Sequence, residues 1–167
     1  MTDKKLKLRA IEPGDVEFIY ECEADREATK WSDYMAPFSR YQLRIYAETY
    51  DADPFRAGQL RLIVETIAGK PIGIADLYEI SERDSKATVG ICIHPDFRNK
   101  GMGKRAIQLL SDYGMNRLGL SKLIAKVSIH NHIAISLFKS AGFEQHCILP
   151  SWHKIGDSFH DFVLFIK

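Results

Sequence analysis

The segment from residue 86 to residue 118 constrains the fold more than any other part of the chain. Residues 86–93 are an apolar run, which predicts a strand buried on both faces, and residues 104–118 have the apolar spacing of an amphipathic helix. Between them lies the basic, glycine-bearing turn HPDFRNKGMGK, residues 94–104. A second apolar strand, over 123–129, follows the helix. The pattern therefore predicts a right-handed strand–helix–strand unit with a parallel strand pair.

The other elements predicted from the sequence surround this unit. Further strands are expected at 6–11, 60–66, 71–80, 143–149 and 159–166, and helices are expected to begin near Pro13, Ser39 and Asn131. The strands before the parallel unit follow one another through short turns, which predicts an antiparallel meander. The chain has 167 residues and no visible linker or internal repeat. We therefore expect one mixed α/β domain over residues 1–167.

Composition excludes several classes of function. The formal net charge of +1 is too balanced for a protein that binds nucleic acid through bulk charge. The sequence contains no run of 18 apolar residues, so no membrane span is expected. The basic N-terminus lacks the apolar run of a secretory signal. Cys22, Cys92 and Cys147 are odd in number and far apart in the sequence, which favours free thiols in a reducing cytoplasm. His130 and His132 have no third ligand at a fixed spacing, so no metal is expected.

The turn at 94–104 has the features of a phosphate site. A strand that enters a helix through Gly101 and Gly103 leaves several backbone N–H groups converging at the helix N-terminus, where the helix dipole is positive. Arg98, Lys100 and Lys104 add full positive charges. A pyrophosphate would suit this arrangement. The alternative is a surface turn in which the glycines serve geometry alone, because short glycine motifs are weak evidence.

Two other phosphate-binding motifs fit the turn poorly. A Walker A loop needs four residues between its glycines, and only Met102 separates Gly101 from Gly103. The dinucleotide fingerprint needs a third glycine where this chain has Ala106, and it follows the first strand of its fold rather than a meander.

A second segment narrows the interpretation. Residues 131–143 read NHIAISLFKSAGF and follow the second parallel strand. With this segment the chain resembles the GNAT family of acyl-CoA N-acyltransferases, whose pyrophosphate motif is matched by Arg98, Gly101 and Gly103. The family's later motif is matched by Asn131, Ala134, Leu137, Phe138, Gly142 and Phe143. The likeness covers roughly residues 6–166, and within the family it is closest to spermidine and ribosomal-protein N-terminal acetyltransferases.

The resemblance implies a mostly antiparallel central sheet, flanked by helices, with a splayed parallel pair that admits acetyl-CoA. It places Ile91, Cys92 and Ile93 along the pantetheine arm through their backbones, and Asn131 against the arm from the other side. Phe138 and Lys139 would lie near the thiol and phosphate ends. The pyrophosphate would be held by Arg98, Asn99, Lys100, Gly101, Met102, Gly103 and Lys104. The apolar surroundings of Cys92 also predict a raised pKa for its thiol.

Acetyl transfer to an amine needs a base, because an aliphatic ammonium must lose a proton before it attacks a thioester. The family's usual acid residue, a tyrosine, falls on Phe138, and its usual acidic residue early in the motif strand is missing at Thr88. Asp76 and Glu79 on the preceding strand are the candidate bases, and the alternative for Asp76 is a structural carboxylate that pairs with a lysine or faces solvent.

The sequence therefore predicts an acetyl-CoA-dependent N-acetyltransferase acting on a primary amine, either a polyamine-like small molecule or a peptide N-terminus. A catalytically weak or inactive CoA-binding or sensor module is the alternative, and a nucleotide-binding or interaction domain is a third reading. Trp31, Tyr34, Tyr46 and Tyr50 are expected either to wall the acceptor pocket or to pack between helices. Asp33, Glu48, Asp51 and Asp53 are expected either to attract a cationic acceptor or to be solvated charges on helix faces. A homo-oligomer is compatible with the sequence.

Overall fold

The structure is a computed structural model that describes residues 5–31 and 36–167. Seven strands form one mixed sheet in the spatial order β1-β2-β3-β4-β5-β7-β6. The strands are β1 Leu6–Arg9, β2 Gln59–Thr66, β3 Pro71–Ser81, β4 Lys86–Ile93, β5 Lys122–Ser128, β6 Glu144–Ile155 and β7 Ser158–Ile166. All neighbouring strands are antiparallel except β4 and β5, which are parallel. The predicted meander and parallel pair are confirmed.

Helices cover both faces of this sheet. They are α1 Val16–Ala24, α2 Arg26–Thr29, α3 Arg40–Thr49, α4 Pro54–Ala57, α5 Met102–Asp112 and α6 His132–Ser140. The N-caps predicted from the sequence form as expected: Ser39 accepts the Gln42 backbone N–H, and Asn131 accepts the Ala134 backbone N–H. Within the described ranges, no helix is long and apolar enough to cross a membrane.

The pairing of β4 with β5 is short. Only Lys86–Lys122, Ala87–Leu123 and Thr88–Ile124 are partners, and the two strands separate beyond them. Beyond this point β3 continues to hold β4, as far as the pair Gly73–Ile93, and β7 continues to hold β5. Because each strand is fixed on its outer side only, the sheet opens as a V with two free strand edges facing each other.

The two faces of the sheet carry separate apolar cores. On one face α5 buries Ala106, Ile107 and Leu110 against the sheet together with Phe138 of α6. On the other face α1 and α3 pack over β2 and β3, with Ile19 fully buried. The alternation of side chains along the strands therefore gives the sheet two buried faces, each covered by helices. The V opens within the sheet, between these two helical layers.

Several elements differ from those expected. The short helices α2 and α4 were not predicted, and each begins at an aspartate that caps it, Asp25 and Asp53. The helix predicted to end at residue 118 instead ends as α5 at Asp112 and continues as a π-helical turn, Tyr113–Arg117. There Gly114 packs so closely on β3 and β5 that a β-carbon would lie 3.2 Å from a Leu123 methyl carbon.

The start of α1 is anchored to the sheet by a buried ionic network. Arg9 of β1 makes a two-pronged hydrogen bond to Asp15, with both N–O distances 2.7 Å, and a third bond of 2.7 Å to Glu65 of β2. Asp15 and Glu65 are only 7% and 4% exposed. Burial raises the pKa of both carboxyl groups, but hydrogen bonding outweighs it. The bonds from Arg9 lower the pKa of Asp15, and the bonds from Lys7 and Arg9 lower the pKa of Glu65. The network fixes the position from which α1 reaches the V.

Replacing Arg9 with Leu is expected to destabilise the fold by about 3–5 kcal/mol near neutral pH, because two buried carboxylates lose their shared partner. In the wild type, the stability tied to these lowered pKa values is present at neutral pH and is lost as pH falls. In the variant the carboxylates are protonated at higher pH, so the difference between the two proteins should shrink near about pH 4. Urea unfolding at both pH values measures this.

Arg56→Leu is the control, because Arg56 pairs with Asp51 at an exposed position. We expect this variant to unfold close to the wild type. An Arg9→Leu penalty that is the same at both pH values would contradict the electrostatic explanation and would indicate lost packing.

Candidate active site

A cavity of about 1330 Å³ occupies the opening between β4 and β5. Its walls come from the end of α1, from α2, from the free part of β4, from the 98–104 turn and from one side of α6. Residues of β5, β6 and β7 close the remaining side, among them Lys126, Trp152 and Phe162. The V that the short β4–β5 pairing creates is therefore continuous with a space large enough for a cofactor arm and a second substrate.

The turn that ends β4 has a left-handed backbone at two positions. Asn99 has φ 58° and Gly101 has φ 78°, and Gly101 is the N-cap of α5. Asparagine and glycine are the residues that adopt this conformation most readily. No atom lies within 4 Å of the position that a Gly101 β-carbon would take, so the backbone at the N-terminus of α5 is open to a ligand. Met102, which is 2% exposed, anchors the helix in the core behind the turn.

Arg98 has a structural partner on each side. Its Nε donates to the Ile93 carbonyl oxygen at 2.8 Å, and its guanidinium pairs with Asp25. Asp25 in turn caps α2 by accepting the Glu27 backbone N–H at 3.1 Å. Burial opposes ionisation of Asp25, yet hydrogen bonding to Arg98 leaves its pKa below the usual value. Arg98 lines the cavity, and it also joins the turn to the helices on the opposite wall.

Most residues predicted to bind the cofactor line this one cavity. They are Ile91, Cys92, Ile93, Arg98, Asn99, Gly101, Met102, Gly103, Lys104 and Asn131. Asn131 also caps α6, which occupies its Oδ1 atom. Gly103 serves packing as well as access, because a β-carbon there would lie 3.3 Å from a Leu137 methyl carbon of α6.

Three residues predicted at the cofactor do not line the cavity. Lys100 turns back, so that its Nζ donates to the Asp96 carbonyl oxygen at 2.6 Å and lies over the Phe97 ring. Phe138 is 5% exposed and packs edge-on to Phe143 and stacked on Phe165. Lys139 is exposed on α6 and is not among the residues that line the cavity. The family motif fixes the position of these residues on α6 and the turn, but side-chain direction decides what they contact.

The acceptor side of the cavity has an ionic floor that the sequence analysis missed. Arg61 of β2 is held between two carboxylates: its Nη1 is 2.5 Å from Glu23 Oε1, and its Nε and Nη2 are 2.8 and 3.1 Å from the two oxygens of Asp76. All three side chains line the cavity and are mostly buried. These three side chains, one cation and two anions, together carry one net negative charge. A sequence signal existed in the spacing that put Glu23 on the buried side of α1, four residues after Ile19.

Gly90 lies directly opposite Asp76 in the β3–β4 register, two residues beyond the last pair of β4 with β5. A β-carbon on Gly90 would lie 3.3 Å from the Asp76 β-carbon and 3.5 Å from a ring carbon of Tyr78. Asp76 and Tyr78 therefore flank the strand edge at the narrow end of the V. Both line the cavity, so a carboxylate and a phenol lie where the strands begin to separate.

Glu79, the other candidate base, has a different environment. It occupies an irregularity of β3 with φ 51°, accepts the Thr88 hydroxyl at 2.6 Å and pairs with Lys126 at 2.9 Å. These hydrogen bonds, that from Thr88 first, lower the pKa of Glu79. Glu79 is not among the residues that line the cavity. The structure therefore favours Asp76 over Glu79.

Cys92 differs from its sequence-based expectation. It lines the cavity, and its Sγ lies 3.8 Å from the Cys22 carbonyl oxygen, so two cysteines 70 positions apart in the sequence meet. Hydrogen bonding between the two thiols, aided by the positive charge of Arg98, outweighs burial and lowers the pKa of Cys92. The predicted rise of the Cys92 pKa was wrong, because the sequence could not show the second thiol.

The predicted acceptor wall is only partly present. Trp31 lines the cavity, whereas Tyr46 and Tyr50 pack edge-to-face outside it, and Tyr50 accepts the Arg61 backbone N–H. The predicted residues Asp33 and Tyr34 lie outside the described residues. Of the other predicted acids, Glu48 does not line the cavity, Asp51 pairs with Arg56, and Asp53 caps α4.

A splayed parallel pair that ends in an open glycine turn at a helix N-terminus defines the class of the acyl-CoA N-acyltransferases. Residues 5–144 match the acetyltransferase (GNAT) domain family, and the chain therefore belongs to that family. It is an acetyl-CoA-dependent N-acetyltransferase with the fold that the resemblance implied.

Individual relatives agree with this assignment. The chain is 28% identical to a spermidine N(1)-acetyltransferase of Vibrio cholerae over 95% of its own length and 90% of the relative. It is 26% identical to an uncharacterized N-acetyltransferase p20 of Bacillus licheniformis over 97% and 92%. The crystal structure of spermidine N-acetyltransferase from Vibrio cholerae in complex with CoA and spermine superposes with a TM-score of 0.86, at 26% identity, over 98% of this chain and 95% of that one.

The two lysines of the turn should respond differently to substitution. Lys104 lines the cavity at the start of α5, so Lys104→Met is expected to weaken CoA binding by about fivefold, or about 1 kcal/mol. The loss should diminish when NaCl is raised to about 0.5 M, because salt screens an exposed charge. Lys100→Met is the matched control and should bind almost like the wild type. Equal losses in calorimetry for both variants would contradict the assignment.

Proposed function

We propose that this N-acetyltransferase acetylates a primary amine of a polyamine-like, flexible cation. The observation that carries the proposal is the Arg61 group, in which one guanidinium is clamped by Glu23 and Asp76 on the cavity floor. Its net negative charge suits an ammonium group. The complex of a similar enzyme with spermine is consistent with such an acceptor.

The distribution of charge around the cavity supports two substrates of opposite charge. Lys104 and the helix N-terminus at Gly101 provide positive potential at one end, where phosphates would bind. The Arg61 group provides negative charge on the acceptor side. Trp31, Tyr78 and Trp152 line the cavity and offer aromatic faces that attract cations and cover a methylene chain. A peptide N-terminus would use the ammonium site but would gain little from these aromatic faces.

The cavity residues fit coenzyme A, because the backbone at Gly101 is open and the free edge of β4 faces the cavity. We propose that the turn from Arg98 to Lys104 binds the pyrophosphate and that Ile91 to Ile93 bind the pantetheine arm through their backbones. Acetyl-CoA supplies the acetyl group as an activated thioester. The free backbone N–H groups of β4 beyond Thr88 are suited to polarise a carbonyl oxygen.

Asp76 is the proposed general base. It lies beside Gly90 at the narrow end of the V, and its ion pair with Arg61 fixes the orientation of its carboxylate. Held in this way, it accepts the proton of the incoming ammonium directly or through water. Glu23 is proposed to bind the same cationic acceptor from the end of α1. Glu79, paired with Lys126, is assigned no catalytic step.

Tyr78 is the proposed donor to the leaving thiolate, a role that the resemblance would give to position 138. Phe138 carries no hydroxyl and is buried in an aromatic cluster. Tyr78 lines the cavity beside Gly90 and carries a hydroxyl that titrates well above neutral pH in model compounds. Ser136 also lines the cavity and is the alternative donor, whereas the hydroxyl-bearing Tyr113 is not among the residues that line it.

Other features of the protein remain proposals. We propose that residues 1–167 form one N-acetyltransferase domain. All seven strands of the single sheet come from residues 6–166, which supports this proposal. A cytoplasmic location, a homo-oligomeric state and the absence of nucleic-acid partners stay predictions from the sequence.

An acceptor panel tests the proposed substrate class. Release of the CoA thiol from acetyl-CoA would be followed with spermidine, spermine, a diamine, free amino acids and peptides with free N-termini. We expect the highest kcat/KM with the polyamines. A preference for peptides would overturn the polyamine assignment. CoA binding without thiol release from any acceptor would favour the catalytically inactive module.

Substitution of Asp76 and of Glu79 tests which of the two carboxylates is the general base. Asp76→Asn should lower kcat by about 10²–10⁴-fold, the usual contribution of general acid–base catalysis, without weakening CoA binding. Glu79→Gln is the matched control, since Glu79 is a similar carboxylate on the same strand outside the cavity. Its kcat should stay close to that of the wild type. Reversed results would return the catalytic role to Glu79.

Two further substitutions test the proton donor. Tyr78→Phe removes one hydroxyl and should lower kcat, with loss of the limb of the pH–rate profile at high pH. Phe138→Tyr should leave kcat unchanged and lower the free energy of unfolding by about 1–3 kcal/mol, because a buried hydroxyl would lack a partner among Phe143 and Phe165. A gain in kcat for Phe138→Tyr would show that position 138 reaches the leaving sulfur.

A further inference from the structure

The cavity contains a pair of thiols that acetyl transfer does not use. Cys92 lies on the free part of β4, and Cys22 lies in the last turn of α1. Both line the cavity, and the Cys92 Sγ is 3.8 Å from the Cys22 carbonyl oxygen. Cys22 is fully buried behind Cys92, which is partly exposed. A reagent in the cavity would therefore meet Cys92 first.

The position of Cys92 relative to the proposed cofactor site matters. Cys92 is two residues beyond Gly90 and lies between Ile91 and Ile93, whose backbones are proposed to hold the pantetheine arm. The side chains of Ile91 and Ile93 pack with the α5 core, whereas Cys92 packs with the α1 and α3 core on the acceptor side. The thiol thus lies on the α1 side of β4, beside the backbone that is proposed to hold the arm.

We propose that Cys92 is a thiol–disulfide exchange site for the disulfide form of coenzyme A, with Cys22 as the resolving thiol. The proposal rests on the proposed binding of coenzyme A in the same cavity. Recognition would come from the turn at residues 98–104 and from the free edge of β4, and a small disulfide without a nucleotide would lack it.

The reaction balances in two exchanges. The Cys92 thiolate attacks one sulfur of the CoA disulfide, a Cys92–CoA disulfide forms, and the departing CoA thiolate takes up the proton that Cys92 lost. Cys22 then attacks the Cys92 sulfur, the second CoA thiolate leaves with the Cys22 proton, and a Cys22–Cys92 disulfide remains. The protein dithiol is oxidised, and one CoA disulfide is reduced to two molecules of coenzyme A.

The electrostatics of the pair support this order of attack. Hydrogen bonding from Cys22 and the nearby charge of Arg98 lower the pKa of Cys92, whereas the same contact and burial raise that of Cys22. The thiol that is the better nucleophile at neutral pH is thus the more exposed one.

Mass spectrometry tests the proposal on the full-length protein. Cys147 is exposed on β6 and not in the cavity, so all reactions would be run in a Cys147→Ser background. With CoA disulfide we expect a gain equal to the mass of one coenzyme A less two hydrogens, followed by conversion to a species two hydrogens lighter than the starting protein. An added Cys22→Ser substitution should trap the CoA adduct on Cys92, located by peptide mapping. Added Cys92→Ser should prevent it.

Two controls separate recognition from simple thiol reactivity. Saturating desulfo-CoA, which has no thiol, should slow adduct formation by at least about tenfold. It would occupy the cofactor site, so that CoA disulfide could no longer bind beside Cys92. It should not slow labelling by hydroxyethyl disulfide at Cys147 in the wild-type protein. Retained thermal unfolding temperatures would show that the serine variants are folded.

Three results would overturn the proposal. They are an adduct that forms without Cys92, a rate unaffected by desulfo-CoA, and no adduct when calorimetry shows that desulfo-CoA binds. The last would leave the proposed cofactor site intact. Failure of desulfo-CoA to bind at all would overturn both the exchange site and the cofactor site on which it rests.

Discussion

Only three residue pairs join β4 to β5, and the position of the last pair, Thr88–Ile124, determines the rest of the site. If the pairing continued, the edge of β4 would be satisfied by β5 and no cavity would exist. Because β3 and β7 hold the two strands from outside, the edges remain in strand geometry after they part. The turn at the end of β4 and the start of α6 then face the same opening.

Ion pairs fix the walls of this opening. Arg61 joins the end of α1 to the middle of β3, through Glu23 and Asp76. Arg98 joins the turn after β4 to the cap of α2 through Asp25. Both arginines are partly buried, so each interaction is stronger than a surface ion pair and more costly to break on one side. The helices that form the acceptor wall are thereby tied to the strands that carry the proposed chemistry.

The motifs predicted the backbone around the cavity better than they predicted which side chains line it. The left-handed backbone at Gly101 was predictable for local reasons, whereas the one at Asn99 was not predicted, and Gly103, for which the sequence also suggested it, is helical in α5. The direction of Lys100 and the burial of Phe138 were not predictable, since both depend on neighbours. Asp76 was found as a candidate base, but its partners Arg61 and Glu23 lie 15 and 53 positions away in sequence, and only the strand register and the packing of α1 bring them together.

The sequence by itself determined the elements of this protein: the meander, the parallel unit, the glycine turn and the caps at Ser39 and Asn131 follow from local periodicity and backbone preference. Tertiary structure alone decided where β4 and β5 separate, which carboxylate faces the cavity and which thiols meet. Cys22 and Cys92 are the clearest case, being 70 positions apart yet in contact. Local preferences act over a few residues, whereas these contacts depend on how a helix packs across a sheet, which no short segment encodes.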